Sequence, residues 1–105
     1  MWQHLRMQVT YYGHSCFGVH VAGKHLLFDP FITGNPLAQA VDLNAIPADF
    51  ILVSHGHDDH MLNAVAIAQR TGATVISNFE LGEWFAKQGL KKLHGMNHGG
   101  SLTLA

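Results

Sequence analysis

The sequence predicts an α/β protein on a mixed sheet, and three observations carry that expectation. Residues 9–28 alternate apolar and polar side chains at the two-residue period of strands; residues 50–85 alternate short β-rich runs with helical periodicities; glycine and proline mark the boundaries between them. Strands joined by a tight turn pair antiparallel and strands separated by a helix pair parallel, so the sheet is expected to begin antiparallel and continue parallel.

Residues 9–12 form the first predicted strand. Residues 17–21 and 25–28 form a hairpin whose turn uses Gly23. Between Asp29 and Asp49 the pattern weakens, because Pro30, Gly34-Asn35-Pro36 and Pro47 punctuate a loop with one short helical turn expected near 37–41. The apolar run 50–54 reads as a buried strand. Residues 61–70 carry apolar side chains at three- and four-residue intervals, as expected for a helix on a sheet, with Gly72 as its stop. Residues 74–77 follow as a strand. Ser77 with Glu80 makes a capping-box pattern for a second helix, which presents Leu81, Trp84 and Phe85 as a core face and ends at Gly89. His94 follows Leu93 in a short strand, and the alternation of 101–105 reads as one more. With no repeat, low-complexity stretch or linker, residues 1–105 read as a single domain.

The chemistry concentrates in His55-Gly56-His57-Asp58-Asp59-His60, directly after the buried strand. Alternate residues of an extended chain point the same way, so His55 and His57 can converge on one ion while Gly56 keeps the bend free of bulk. Asp59 and His60, where the chain turns into a helix, offer an oxygen and a nitrogen to a second ion. Imidazole with carboxylate suits zinc, iron or manganese. No thiolate competes nearby, since Cys16 is the only cysteine. The alternatives are a polar loop with fortuitous histidines or a purification tag, but a tag is a terminal run and this cluster is internal and regularly spaced.

His-x-His-x-Asp-His after a hydrophobic strand resembles the signature of the metallo-β-lactamase fold superfamily. Residues 10–17, Leu27-Phe28-Asp29-Pro30-Phe31, Asn35-Pro36 and Met96-Asn97-His98-Gly99-Gly100 resemble, within it, the branch of metal-dependent hydrolases related to bacterial ascorbate lactonases. The resemblance runs from about Met7 to Ser101. It implies the N-terminal αβ half of a four-layered αβ/βα fold, with a second half supplying a further histidine, a bridging aspartate and a last histidine. No counterpart of those residues follows Ser101, so the expectation is an incomplete domain: a truncated or cleaved product, or a chain complemented by a C-terminal half or a second copy.

On that resemblance His55, His57, Asp59 and His60 are the metal ligands, and Asp59 and His14 the candidate catalytic residues. His14 would contact substrate or orient a ligand; its structural alternative is a strand-end histidine satisfied by backbone groups. Asp29 would accept a hydrogen bond from the ring of a ligating histidine, or else cap the Asp29-Pro30 turn. Asp58 would act behind the ligands or through helix-start electrostatics. Asn97 and His98 would stand near the mouth of the site.

A complete centre of two divalent ions, zinc or manganese, would activate water against a small ester-like substrate, a lactone or a phosphodiester. The competing reading is a non-catalytic assembly subunit that pairs through its sheet edge. The remaining sequence sets bounds. At 48% hydrophobic and 12% charged, the chain is apolar for 105 residues, so an apolar surface is expected to await cover. Six basic against seven acidic residues leave no stripe for a phosphate backbone, so no nucleic-acid partner is expected. No membrane span or secretory leader is read. One cysteine excludes an intrachain disulfide, and a cytoplasmic location is the default. Neither glycine-rich phosphate loop appears. A serine or cysteine nucleophile at Ser15 or Cys16 would need a histidine geometry that the adjacent His14 does not establish.

Overall fold

Leu27, Ile51 and Val75 lie side by side on three neighbouring strands, each almost wholly buried, and the rest of the core gathers around them. The computed structural model describes residues 6–56, 61–96 and 100–103. Its elements are β1 (Met7–Gly13), β2 (Cys16–Val21), β3 (Lys24–Phe28), two 3₁₀ turns (Pro36–Ala38 and Leu43–Ala45), β4 (Phe50–Leu52), α1 (Ala64–Thr71), β5 (Thr74–Ser77), α2 (Phe79–Lys87) and β6 (Leu93–Gly95). The six strands form one sheet in sequence order, antiparallel through β1, β2 and β3 and parallel from β3 to β6. This is the mixed sheet that hairpin and helical connections dictate.

One face of the sheet carries the core. Cys16, Leu27, Ile51 and Val75 point into it and meet Ala64, Ile67 and Ala68 of α1 and Phe85 of α2. Each fully buried large apolar side chain contributes about 1.5–3 kcal/mol. Both helices are short and amphipathic, so their stability comes from this packing more than from propensity. Gly72 closes α1 in the left-handed conformation at φ +72°, as its position predicts.

The opposite face has no helix over it among the described residues. The strand registers place Met7, Val9 and Tyr11 beside Val21, Val19 and Phe17, and continue through Leu26 and Phe28 to Phe50, Leu52 and Ile76. Apart from Lys24, Thr74 and His94, every regularly paired position on this face is apolar or aromatic. Met7 is 64% exposed, Val9 53% and Tyr11 56%, whereas Ile76 at the far end is buried. Where both faces are apolar, as along residues 26–28 and 50–52, both are suited to being covered. This open face is the apolar surface that the composition anticipates.

Five local expectations change. The cap of α2 is Asn78, whose side-chain oxygen accepts from the Leu81 amide at 2.8 Å. Ser77 is still the last residue of β5, and its hydroxyl donates to the Asn78 carbonyl. Trp84 is 42% exposed while Phe85 is fully buried, because a 100° step per residue separates the two rings. In the 29–49 loop a second turn, Leu43–Ala45, joins the expected one, capped by Asp42 and held from α1 by Arg70, which donates to the carbonyls of Leu43 and Ile46. Residues 101–103 are exposed and form no strand. Helix α1 spans Ala64–Thr71 against an expected 61–70.

Candidate metal centre

Parallel strands deliver their C-terminal ends to a common edge, the usual place for a site on an open α/β sheet. Here β3 ends at Phe28, β4 at Leu52 and β5 at Ser77, and the residues just beyond them surround a cleft of about 900 Å³. Phe28, Leu52 and Ile76 give the cleft an apolar floor continuous with the open face. Asp29, Ser54, His55, Asn78 and Glu80 bring polar groups to its walls.

The polar groups are tied together. The Asp29 amide donates to the Leu52 carbonyl at 2.8 Å. Asp29 Oδ1 accepts from the Ser54 amide at 2.6 Å, and Oδ2 from the Ser54 hydroxyl at 2.7 Å. Ser54 Oγ lies 2.8 Å from Nδ1 of His55. Asp29 itself has φ +45°, left-handed for a non-glycine residue. Such a conformation costs on the order of 1–3 kcal/mol and persists only where the surroundings over-determine it, as the bonds to Leu52 and Ser54 do here.

A second tether holds the chain that follows the histidine cluster. Asn63, buried at the start of α1, does not cap its own helix. Its Oδ1 accepts from the Ile32 amide at 2.6 Å and the Thr33 amide at 2.9 Å, and its Nδ2 donates to Thr33 Oγ1 at 3.0 Å. The Asn63 amide donates to the Pro30 carbonyl at 3.1 Å. The loop leaving Asp29 is thereby bound to the helix that follows the cluster. Asn35, also buried, bonds the carbonyls of Tyr12 and Phe31 and joins that loop to the end of β1. Gly13 permits the approach: a Cβ there would lie 2.6 Å from Leu37 Cβ, and its φ is +108°.

Of the residues that the sequence nominates, Asp29 and His55 line the same cleft. His14 stands at the β1–β2 turn, exposed, with φ +52° and its ring edge-on to Phe31 at 5.1 Å; it is not among the residues lining the cleft. His57, Asp58, Asp59, His60, Asn97 and His98 lie outside the described residues. Among the described residues, no three histidine, cysteine or carboxylate side chains gather into a metal-sized group. Sequence reasoning passed over Ser54, Asn63 and Asn35. A hydroxyl immediately before the first histidine, and a lone amide in the first turn of an otherwise apolar helix, are the signals that could have found the first two.

Cys16 is no nucleophile. It is fully buried, and burial pushes its thiol up, with a Phe31 backbone hydrogen bond opposing and the Asp29 charge adding to the rise. Because the folded thiol holds its proton more tightly than the unfolded one, its contribution to stability is present below the ordinary value of 9.0 and is lost as pH rises above it. We expect unfolding free energy to decline above about pH 9 and the decline to be shallower in Cys16→Ala. Urea titrations across that range check this; an unchanged slope in the variant contradicts it. Tyr12, raised by burial and then by Cys16, adds to the same trend.

Comparison with known proteins agrees with this architecture. Residues 8–104 match the family model described as a beta-lactamase superfamily domain. The chain belongs to that family. Within the superfamily it is 50% identical over 95 residues to a UPF0173 metal-dependent hydrolase of Flavobacterium johnsoniae, covering 90% of this chain and 42% of that protein. It is 52% identical over 94 residues to one of Carboxydothermus hydrogenoformans, covering 90% and 41%. Among solved structures it superposes on Igni18, a metallo hydrolase from Ignicoccus hospitalis, with TM-score 0.82 and 36% identity over 93% of this chain and 42% of that one. The chain thus spans less than half the length of these relatives. Its mixed sheet with helices on one face is the N-terminal αβ half of the metallo-β-lactamase fold. No helix among the described residues is long and apolar enough to cross a membrane.

Proposed function

We propose that this chain supplies the cleft and part of the metal-binding side chains of a metal-dependent hydrolase acting on a small ester-like substrate, a lactone or a phosphodiester. The observation that carries the reading is the seating of His55. The first residue of the histidine cluster stands at the C-terminal edge of three parallel strands, in a cleft, with its Nδ1 engaged by a serine that a buried aspartate holds. An imidazole whose Nδ1 is engaged can present Nε2 to an ion, so His55 suits a divalent metal. His55, His57, Asp59 and His60 would hold it, with zinc or manganese as the ions and two in a complete site.

Bound there, such ions supply Lewis acidity and a water of lowered pKa. The rest of the work belongs to this chain's own residues. Asp29 and Ser54 orient His55. Phe28, Leu52 and Ile76 make a floor that excludes water and takes the apolar part of a substrate. Asn78 and Glu80 offer polar contacts at the cleft wall. His14, displaced toward Phe31, would reach substrate only from the rim. The names of the relatives support hydrolysis as the reaction class, and a single cysteine suits work in the cytoplasm.

The open apolar face supports a complementary αβ layer as the partner. That layer would close the cleft from above and bring the remaining ligands. The test pairs metal content per chain with hydrolysis of a panel of lactones and phosphodiesters. Bound metal with turnover of either class is expected. A protein that takes up neither zinc nor manganese and turns over nothing, even with a complementary layer present, would leave assembly as its role.

A further inference from the structure

Three atoms in a row at the cleft edge limit one another's protons. The Asp29 carboxylate accepts at both oxygens, from the amide and the hydroxyl of Ser54. Oδ2 and Ser54 Oγ are 2.7 Å apart, a separation at which two oxygens repel unless a proton lies between them. In this contact the hydroxyl donates and the carboxylate accepts, so the proton is the serine's. A hydroxyl has only one. At the 2.8 Å contact between Ser54 Oγ and His55 Nδ1, Ser54 can therefore only accept, and Nδ1 must carry the hydrogen.

We propose that Ser54 is a positioning residue that relays the Asp29 carboxylate to His55, fixing the neutral ring with its hydrogen on Nδ1 and its lone pair on Nε2. The inference rests on the proposed function for its purpose and on hydrogen-bond arithmetic for its content. A histidine ligand needs one defined nitrogen lone pair, and the partner of the other nitrogen decides which one it is. The sequence suggests a direct bond from Asp29 to a ligating ring. At His55 the residue directly before it stands between Asp29 and the ring, so aspartate and this ring need not approach. Asp29 can then stay buried under the strand ends while the imidazole faces the cleft. The geometry also resists drift, because the Ser54 backbone amide pins the same carboxylate that its side chain uses.

The test compares Ser54→Ala with Ser54→Thr in the whole protein. Ring ¹⁵N shifts of His55 are read in the metal-free protein, above the pH range in which imidazole is charged. Zinc affinity is read by competition with a chromophoric chelator. The unaltered ring is expected to carry its hydrogen on Nδ1. In Ser54→Ala, Nδ1 loses the serine oxygen, the hydrogen shifts toward Nε2, and zinc affinity falls roughly 10- to 100-fold, the range for loss of an outer partner of a metal ligand. Ser54→Thr keeps a hydroxyl at an exposed position and is expected to retain both properties. An Nε2-protonated ring in the unaltered protein, or wild-type shifts and affinity in Ser54→Ala, would overturn the relay. Absence of zinc uptake by the unaltered protein would count against the hydrolase reading alone, since the ring spectrum tests the relay without metal.

Discussion

Replacing His55 with alanine is expected to lower affinity for zinc or manganese by at least about 100-fold, beyond the 10- to 100-fold typical of a residue that only supports a ligand. Fold stability should change little. His55 is half-exposed at the cleft edge and contributes no side chain to the buried core. One partner it leaves behind, Ser54, is exposed, so its oxygen can turn to water when the ring is removed. Metal titration together with urea unfolding of the same preparation checks both halves of this expectation. Wild-type affinity in the variant would remove His55 from the ligand set. A large stability loss with affinity intact would make the residue structural.

Phe85→Ala has the largest effect expected on the fold. Phe85 is fully buried, the largest such side chain described, and stands where α2 meets the sheet. Truncating a buried phenylalanine costs about 3–5 kcal/mol in lost transfer energy and residual cavity. Against a typical total of roughly 5–15 kcal/mol, that is a large share for one residue. The neighbouring Trp84 packs edge-on at 5.2 Å but is too exposed to fill the space. Denaturant unfolding gives the number directly. A loss under about 1 kcal/mol would mean that α2 is not held by this contact. Helix α2 also carries Asn78, Phe79 and Glu80 to the cleft, so the destabilised variant should close that wall less well.

The contrast between Trp84 and Phe85 shows how far periodicity reaches. Helical spacing identified the segment as a helix and assigned both rings to its core face, but a stripe is broad and its edge is decided by what the helix packs on. The cap of α2 moved for a related reason. Ser77 and Glu80 satisfy the capping-box pattern, yet Ser77 is needed as the last strand residue, so the adjacent Asn78 bonds the open helix amide. The strands were more legible. Residues 74–77 coincide with β5, and the hairpin at Gly23 lies where the turn residues put it.

Local pattern determined the element types, the antiparallel start and parallel continuation of the sheet, and the histidine cluster at a strand end. It could do so because strand alternation, turn chemistry and ligand spacing act over a few residues. The tertiary structure alone decided that one face of the sheet is buried and the other left open, that Asp29 reaches Ser54 across 25 residues of chain, and that Ser54 stands between that carboxylate and His55. Those features depend on which strands become neighbours and in what register. No short window of sequence encodes the distance between two side chains that folding brings together.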